Sequence, residues 1–141
     1  MDTSLAAALA KSTPAVPTAD RKQEVIHMPC IQTKTTVKLT SAQEDLLKVK
    51  FGKAIELLPG KSENWLMLTF EGNCHMYFKG RSEPDMAFVE VKLFGKASRQ
   101  DYSKLTHELT SILHRELDIN PSQIYIKYEE VSHWGWNGNN F

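Results

Sequence analysis

The feature that most constrains this chain is a strand–helix–strand pattern that occurs twice. Two predicted helices open with capping signals, Ser41 followed by Glu44 and Ser98 followed by Asp101. Each helix has one apolar face and lies between two segments of strand character. Two such units form one mixed four-stranded sheet with both helices on the same face, so the sequence predicts a layered α/β domain.

Hydrophobic spacing locates the predicted elements. Strand character is present at residues 30–37, 65–70, 87–94 and 124–128, with a shorter candidate at 76–78. The predicted buried helix faces comprise Leu46, Leu47, Phe51, Ala54, Ile55 and Leu58 in the first helix, and Leu105, Leu109, Ile112, Leu113 and Leu117 in the second.

The predicted strands are apolar at more positions than one covered face requires. Trp65, Met67, Val89 and Val91 belong to stretches that are hydrophobic at most consecutive positions, as in strands covered on both faces. Because the helices cover only one face of the predicted sheet, further copies of the chain are the simplest cover for the other. The sequence therefore predicts an oligomer.

Charge and composition exclude several classes of function. The chain carries 17 basic and 17 acidic side chains, whereas proteins that bind nucleic acid or membrane surfaces carry a basic excess. Its two cysteines cannot form a disulfide framework. The longest strictly apolar run, residues 5–10, is far shorter than the roughly 20 residues that span a bilayer. We expect no nucleic acid and no membrane among the partners, and a protein that is cytoplasmic or secreted by a non-classical route.

The beginning of the chain differs from the rest. Residues 1–28 contain no aromatic residue and no glycine and are rich in Ala, Ser, Thr and Pro, so they have little large apolar surface to bury. We expect this segment to be a disordered extension or a cloning-derived tag and residues 29–141 to form the folded domain. Three origins remain open: a cloning junction, for which His27-Met28 is typical, a start codon assigned too far upstream, and a native extension.

No metal or phosphate site is predicted. The histidines lack H-x3-H spacing, Cys30 and Cys74 stand alone, and the chain has no glycine-rich phosphate loop. His107 and His114 are seven positions apart on one predicted helix, where a solvated helix face explains them.

Three features have a structural interpretation beside a functional one. Pro29 is an ordinary proline that opens a strand or, if translation or processing removes Met28 and everything before it, a secondary amine usable as a base near neutral pH. Lys61 follows the first helix, where a lysine normally complements the helix dipole. Trp134 and Trp136 lie in a closing stretch rich in glycine and asparagine, either packed on a neighbouring subunit or forming an aromatic pocket wall.

Short motifs recur in a fixed order through the predicted domain. They are Met28-Pro29-Cys30-Ile31, Pro59-Gly60-Lys61, Ser82-Glu83-Pro84, Phe94-Gly95-Lys96, Tyr102-Ser103-Lys104-Leu105, Ile124-Tyr125-Ile126 and Gly135-Trp136-Asn137. Each is weak alone, but the ordered set resembles the macrophage migration inhibitory factor family of the tautomerase superfamily over essentially the whole family length.

The resemblance implies an assembly and an activity. The assembly is a homotrimer of tandem β-α-β repeats whose three sheets surround a central barrel, which covers the second sheet face. The activity is that of a cofactor-independent keto–enol tautomerase, an isomerase acting on phenylpyruvate-like 2-oxo acids, with dopachrome as an artificial substrate. No metal and no organic cofactor is implied.

The resemblance also implies roles by position. Pro29 would be the catalytic base. Lys61 would bind the substrate carboxylate and help to keep the prolyl amine neutral by like-charge repulsion. The backbone N–H of Phe94 would donate a hydrogen bond to the substrate oxygen, and Tyr125 of the adjacent subunit would form the pocket floor.

Three further residues complete the implied pocket. Trp136 and Phe141 would form its wall, and Lys127, where some members carry an amide, would add a second carboxylate contact or change the substrate preference. Catalysis requires the Pro29 nitrogen to be a free amine, which any preceding residue prevents. The alternatives are a non-catalytic, cytokine-like protein that binds a cell-surface receptor through its trimer surface, and a purely structural oligomer.

Overall fold

Both predicted β-α-β units are present. The structure, a computed structural model, describes residues 28–140; the expected disordered extension, apart from Met28, and Phe141 lie outside the described residues. The elements are β1 Pro29–Thr35, α1 Ser41–Ala54, β2 Met67–Glu71, β3 Ala87–Phe94, α2 Arg99–Leu117, β4 Ile124–Val131, β5 Gly135–Trp136 and β6 Asn139–Asn140. Short 3-10 helices lie at Ile55–Leu57, Glu63–Trp65 and Pro121–Gln123.

The main sheet has four strands in the order β2-β1-β3-β4. Strand β1 is parallel to β2 and antiparallel to β3, and β3 is parallel to β4. Each parallel pair is joined through a helix, because parallel neighbours need a crossover connection. The predicted mixed sheet with two helices on one face is therefore confirmed.

The core lies between the sheet and the two helices. On β3 the residues alternate strictly, so that Val89, Val91 and Leu93 are fully buried against the helices. The predicted face of α2 is buried at all five positions. The predicted face of α1 is buried except at Leu46, whose exposed fraction is 40%.

The expectation of an apolar second sheet face is wrong. Val89 and Val91 both point towards the helices, while the intervening Glu90 and the following Lys92 lie on the other face. Trp65 is not in a strand, and Met67 is the first residue of β2 and 70% exposed. The second face is thus partly charged. Within β3 most apolar residues point to the helices and the charged residues to the other face, although the run as a whole is largely apolar.

The N-cap of the first helix lies one residue before the predicted cap, and the helix begins at Ser41. Thr40 is the N-cap: its hydroxyl accepts the N–H of Gln43 at 3.1 Å, and the Gln43 side chain accepts the N–H of Thr40 at 2.9 Å. Ser41 is already helical. A capping box is present as predicted, but Thr40 and Gln43 form it in place of Ser41 and Glu44. The predicted second cap is confirmed, since Ser98 accepts the N–H of Asp101 at 3.0 Å.

The short strand expected at 76–78 is absent from the described residues. Only Phe78 takes part in a bridge, to Arg81, across a tight turn at Lys79 and Gly80, both of which have positive φ. The turn reverses the chain too early for a strand to form.

Candidate active site at the start of the first strand

Pro29 opens β1 at the end of the sheet where β3 finishes. Its Cα partner is Leu93 on the antiparallel β3, and it is buried in phase with Ile31 and Thr33. A proline suits the first position of a strand, where its missing N–H costs little.

The backbone of Phe94 joins the beginning of β1 to Lys61. The Phe94 N–H donates to the carbonyl oxygen of Met28 at 3.1 Å. The Phe94 carbonyl oxygen accepts a hydrogen bond from Lys61 Nζ at 3.4 Å. Pro29, Lys61 and Phe94, which are distant in sequence, therefore lie in one region, as the resemblance implies.

Lys61 is buried, with 7% of its surface exposed. Its position depends on the turn before it, where Gly60 has φ 81 and the Lys61 N–H donates to the carbonyl of Leu58 at 3.0 Å. Burial lowers the pKa of Lys61, because loss of water disfavours the charged ammonium. The helix-dipole role belongs instead to Lys53, in the last turn of α1.

Tyr125 lies towards the opposite end of the sheet. It is paired with Phe88 on β3, whereas Pro29 is opposite Leu93, and these two β3 positions are ~17 Å apart at ~3.3 Å per residue. The Tyr125 side chain is 62% exposed, and its ring meets that of Phe78 edge-on with centroids 5.1 Å apart. One chain by itself therefore does not bring Tyr125 to Pro29.

An open recess lies beside Tyr125. Its walls include Met76, Tyr77, Phe78 and Phe88. Tyr77 is 75% exposed. This end of the sheet consequently presents aromatic surface to its surroundings.

Lys127 lies on the sheet face that the helices do not cover. Its ammonium is 3.0 Å from Glu129 and 3.6 Å from Glu90, and 5.9 Å from the ring centroid of Phe88. The hydrogen bond to Glu129, more than any other contact, raises the pKa of Lys127. Lys127 thus forms ion pairs with two carboxylates. Its role as a second substrate contact stays a prediction.

Trp136 lies in the closing hairpin of β5 and β6. Residues 137–138 both have positive φ, as a tight hairpin turn requires. The Trp136 ring packs edge-on against Trp65 at 5.3 Å, and Trp65 is the last residue of the 3-10 helix Glu63–Trp65, which begins two residues after Lys61. Trp136 therefore lies on the Lys61 side of the sheet, whereas Phe141 is outside the described residues.

Sequence reasoning missed three contributors. Met28 occupies the Phe94 N–H, Trp65 supports Trp136, and Phe78 supports Tyr125. Each contact joins residues far apart in sequence, so no local spacing indicates it. The only available signal was the aromatic character of Trp65 and Phe78.

Other reactive residues do not assemble into a second site. Among residues 28–140, no group of three or more His, Cys, Asp or Glu could hold a metal ion. Within the same residues no helix is long and apolar enough to cross a membrane. Cys30 and Cys74 are both free thiols.

Known proteins give a consistent comparison. A sequence profile of the family described as macrophage migration inhibitory factor (MIF) matches residues 28–141. The chain is similar to the structure of Leishmania major MIF2, with 29% identity, a TM-score of 0.76, and coverage of 82% of this chain and 98% of that one. A homologue from Prochlorococcus marinus has 30% identity and a TM-score of 0.72, with coverage of 79% and 98%.

The similarity extends to the factor from Toxoplasma gondii, at 25% identity and a TM-score of 0.73, with coverage of 79% of this chain and 99% of that one. A comparison with curated proteins gives no match. The profile match covers essentially all the described residues, and the fold agrees with it. The chain belongs to the macrophage migration inhibitory factor family, within the tautomerase superfamily.

Proposed function

We propose that the protein is a keto–enol tautomerase for phenylpyruvate-like 2-oxo acids, active when the chain begins at Pro29. Membership of the family supports a tautomerase-type function. The observation that carries the proposal is the convergence of Pro29, the Phe94 backbone and the buried Lys61 at one end of the sheet. These groups supply a base, a hydrogen-bond donor and a cation.

The reaction moves one proton within the substrate. The free Pro29 amine takes a proton from the carbon next to the keto group, and the electron pair moves onto the keto oxygen. The Phe94 N–H stabilises that oxygen, which then receives the proton from the prolyl ammonium. Lys61 binds the carboxylate and, by like-charge repulsion, lowers the pKa of the prolyl ammonium. No step requires a metal or an organic cofactor.

The proposal includes a homotrimer. Tyr125 lies ~17 Å along the sheet from Pro29 within one chain, so it can form the floor of the pocket only for a neighbouring copy. A closed ring of three chains presents the Tyr125 end of each copy to the Pro29 end of the next. Sedimentation equilibrium measures this directly, and a monomer at micromolar concentration contradicts it.

The enzymatic test uses a chain that begins at Pro29. We expect phenylpyruvate ketonisation, and we expect Pro29→Gly to lower kcat by about 10²- to 10⁴-fold, the usual contribution of a general base. Pro121→Gly, at an exposed position outside the cluster of Pro29, Lys61 and Phe94, is the control for the loss of a proline ring and keeps its rate. Equal rates for the Pro29→Gly variant and its parent chain contradict the proposal.

A non-catalytic, receptor-binding function is the alternative. The peptide bond between Met28 and Pro29 favours it, because the nitrogen of Pro29 is an amide in the 141-residue chain. It predicts that the labelled 141-residue chain binds a cell-surface receptor and that Pro29→Gly leaves the affinity unchanged.

A further inference from the structure

Met28 is part of the ordered domain. It is almost completely buried, with an exposed fraction of 3%. Its carbonyl oxygen extends the ladder between β1 and β3 by accepting the Phe94 N–H at 3.1 Å. This N–H is the donor that the proposed reaction assigns to the substrate oxygen.

We infer that the Met28 carbonyl is an autoinhibitory contact, because it occupies the Phe94 N–H that the proposed reaction needs for the substrate oxygen. The bond from Met28 to Pro29 converts the proposed base into an amide, and the carbonyl of the same unit occupies the Phe94 donor. The inference rests on the proposed function and deepens it, because it concerns the regulation of that site. A segment attached to Pro29 therefore blocks substrate binding as well as proton transfer.

The Met28–Pro29 bond is buried in the folded domain, so a peptidase reaches it only before folding or when the start of β1 opens locally. Its hydrolysis removes both obstacles together. A peptidase adds one water molecule across the Met28–Pro29 bond, which leaves a carboxylate on Met28 and a secondary amine on Pro29. The Phe94 N–H loses its acceptor in the same event and faces the position that the Met28 carbonyl leaves. Base and donor thus appear beside each other in one step.

The domain does not need Met28 to fold. The buried cluster of the core begins at Ile31 and ends at Ile119, and all four strands of the main sheet lie at Pro29 or beyond. A chain that begins at Pro29 keeps this core entire. Shortened and full-length chains are therefore comparable.

Hydrogen exchange at the Phe94 amide tests the masking without any substrate. We expect this amide to exchange at least about tenfold faster in the chain that begins at Pro29 than in the 141-residue chain, because its acceptor is gone. The Tyr102 amide, which donates to Ser98 at 3.0 Å, is the internal control and keeps its rate. Equal protection of the Phe94 amide in both chains overturns the inference.

Two semisynthetic chains isolate the role of the carbonyl. N-acetyl-Pro29 restores a carbonyl where Met28 had one, whereas N-isopropyl-Pro29 adds a group with the same number of non-hydrogen atoms but no carbonyl. We expect protection of the Phe94 amide to return in the acetylated chain alone. Protection in both chains, or in neither, shows that the carbonyl is not the masking group.

Binding separates this inference from the proposed catalysis. Phenylpyruvate is titrated into the 141-residue chain and into a non-reacting chain that lacks residues 1–28 and carries Pro29→Gly. We expect affinity at least about tenfold higher in the shortened variant. Equal affinity overturns the masking even if a chain beginning at Pro29 is active. Tighter binding and an exposed Phe94 amide without any turnover uphold the masking and overturn the tautomerase proposal.

Discussion

The two ends of the central sheet are built differently. At the Pro29 end, a buried lysine and the backbone of Phe94 lie against the start of β1. At the other end, Tyr125 is 62% exposed beside an open, largely aromatic recess. At the Pro29 end, one chain alone brings the polar groups together. At the Tyr125 end the aromatic surface is exposed, and its predicted role as a pocket floor requires another copy of the chain.

Two lysines show what this difference means chemically. Lys61 is buried against a carbonyl oxygen, and burial lowers its pKa. Lys127 is exposed between Glu90 and Glu129, and its pKa is raised. A substrate carboxylate would offset part of the cost of burying the Lys61 ammonium, whereas the Lys127 ammonium already lies beside two carboxylates. We therefore propose that Lys61 binds the substrate carboxylate and that Lys127 contributes little to binding.

The largest expected effect tests this contrast. In a chain that begins at Pro29, Lys61→Ala lowers kcat/KM for phenylpyruvate by about 10- to 150-fold, the equivalent of about 1.5–3 kcal/mol for a hydrogen bond to a charged group. Lys127→Ala, the matched control, changes it by less than about threefold, because exposed ion pairs contribute little. A larger effect at Lys127 than at Lys61 reverses the comparison.

A mixing experiment tests whether the two ends meet across subunits. Lys61→Ala and Tyr125→Ala chains, both beginning at Pro29, are each weakly active alone. Unfolded together in equal amounts and refolded, they regain about a quarter of the wild-type sites, because a quarter of random subunit interfaces pair an intact Lys61 with an intact Tyr125. Activity no greater than the average of the separate chains contradicts a site shared between subunits.

The spacing of apolar residues predicted most helices and strands, because each of these elements depends on residues that are close together in the sequence. The bounds of β3 and the buried face of α2 follow from strict spacing in one short segment. The second sheet face was predicted wrongly, because an apolar run that includes Trp65 does not reveal the 3-10 helix within it. The α1 cap differs by one residue because both registers satisfy the same motif.

The site was less accessible to sequence reasoning. The contacts of Phe94 with Met28 and Lys61 arise where β1 pairs with β3, which no spacing along the chain encodes. The role proposed for Lys61 came from family resemblance, and that proposed for Pro29 also from the chemistry of a terminal proline. Their proximity became visible only in the fold. Tyr125 shows the limit most clearly, since its predicted partner belongs to another copy.

The pH dependence of binding provides a more moderate test. Because burial lowers the pKa of Lys61 below its ordinary 10.5, the ammonium is fully present only below that lowered pKa. In the shortened Pro29→Gly chain, phenylpyruvate affinity therefore declines as pH rises towards 10.5, by up to about tenfold. Lys61→Arg, which stays charged, abolishes the part of the decline above about pH 9 and leaves the part due to the terminal amine at about pH 8, whereas Lys127→Arg changes neither. A decline in the upper range that persists in Lys61→Arg assigns it to another group.

The smallest expected effects distinguish two buried threonines in the second half of β1. Thr33 and Thr35 are both buried, but within residues 28–140 the Thr33 hydroxyl has no hydrogen-bond partner. The Thr35 hydroxyl donates to the Met86 carbonyl at 2.8 Å and accepts the Val37 N–H at 3.2 Å. The two threonines therefore differ in hydrogen bonding while sharing size and burial.

Valine at each position has the shape of threonine without its hydroxyl. Thr33→Val removes an unsatisfied polar atom, so we expect the free energy of unfolding to rise by up to about 1 kcal/mol. Thr35→Val leaves the Val37 N–H without its acceptor, so we expect a fall of about 1–2 kcal/mol. Urea denaturation measures both changes in the free energy of unfolding, provided that its dependence on urea concentration is the same in the variants and the parent chain. A loss of stability in Thr33→Val means that its hydroxyl has an acceptor after all, and the two threonine hydroxyls are then equally satisfied.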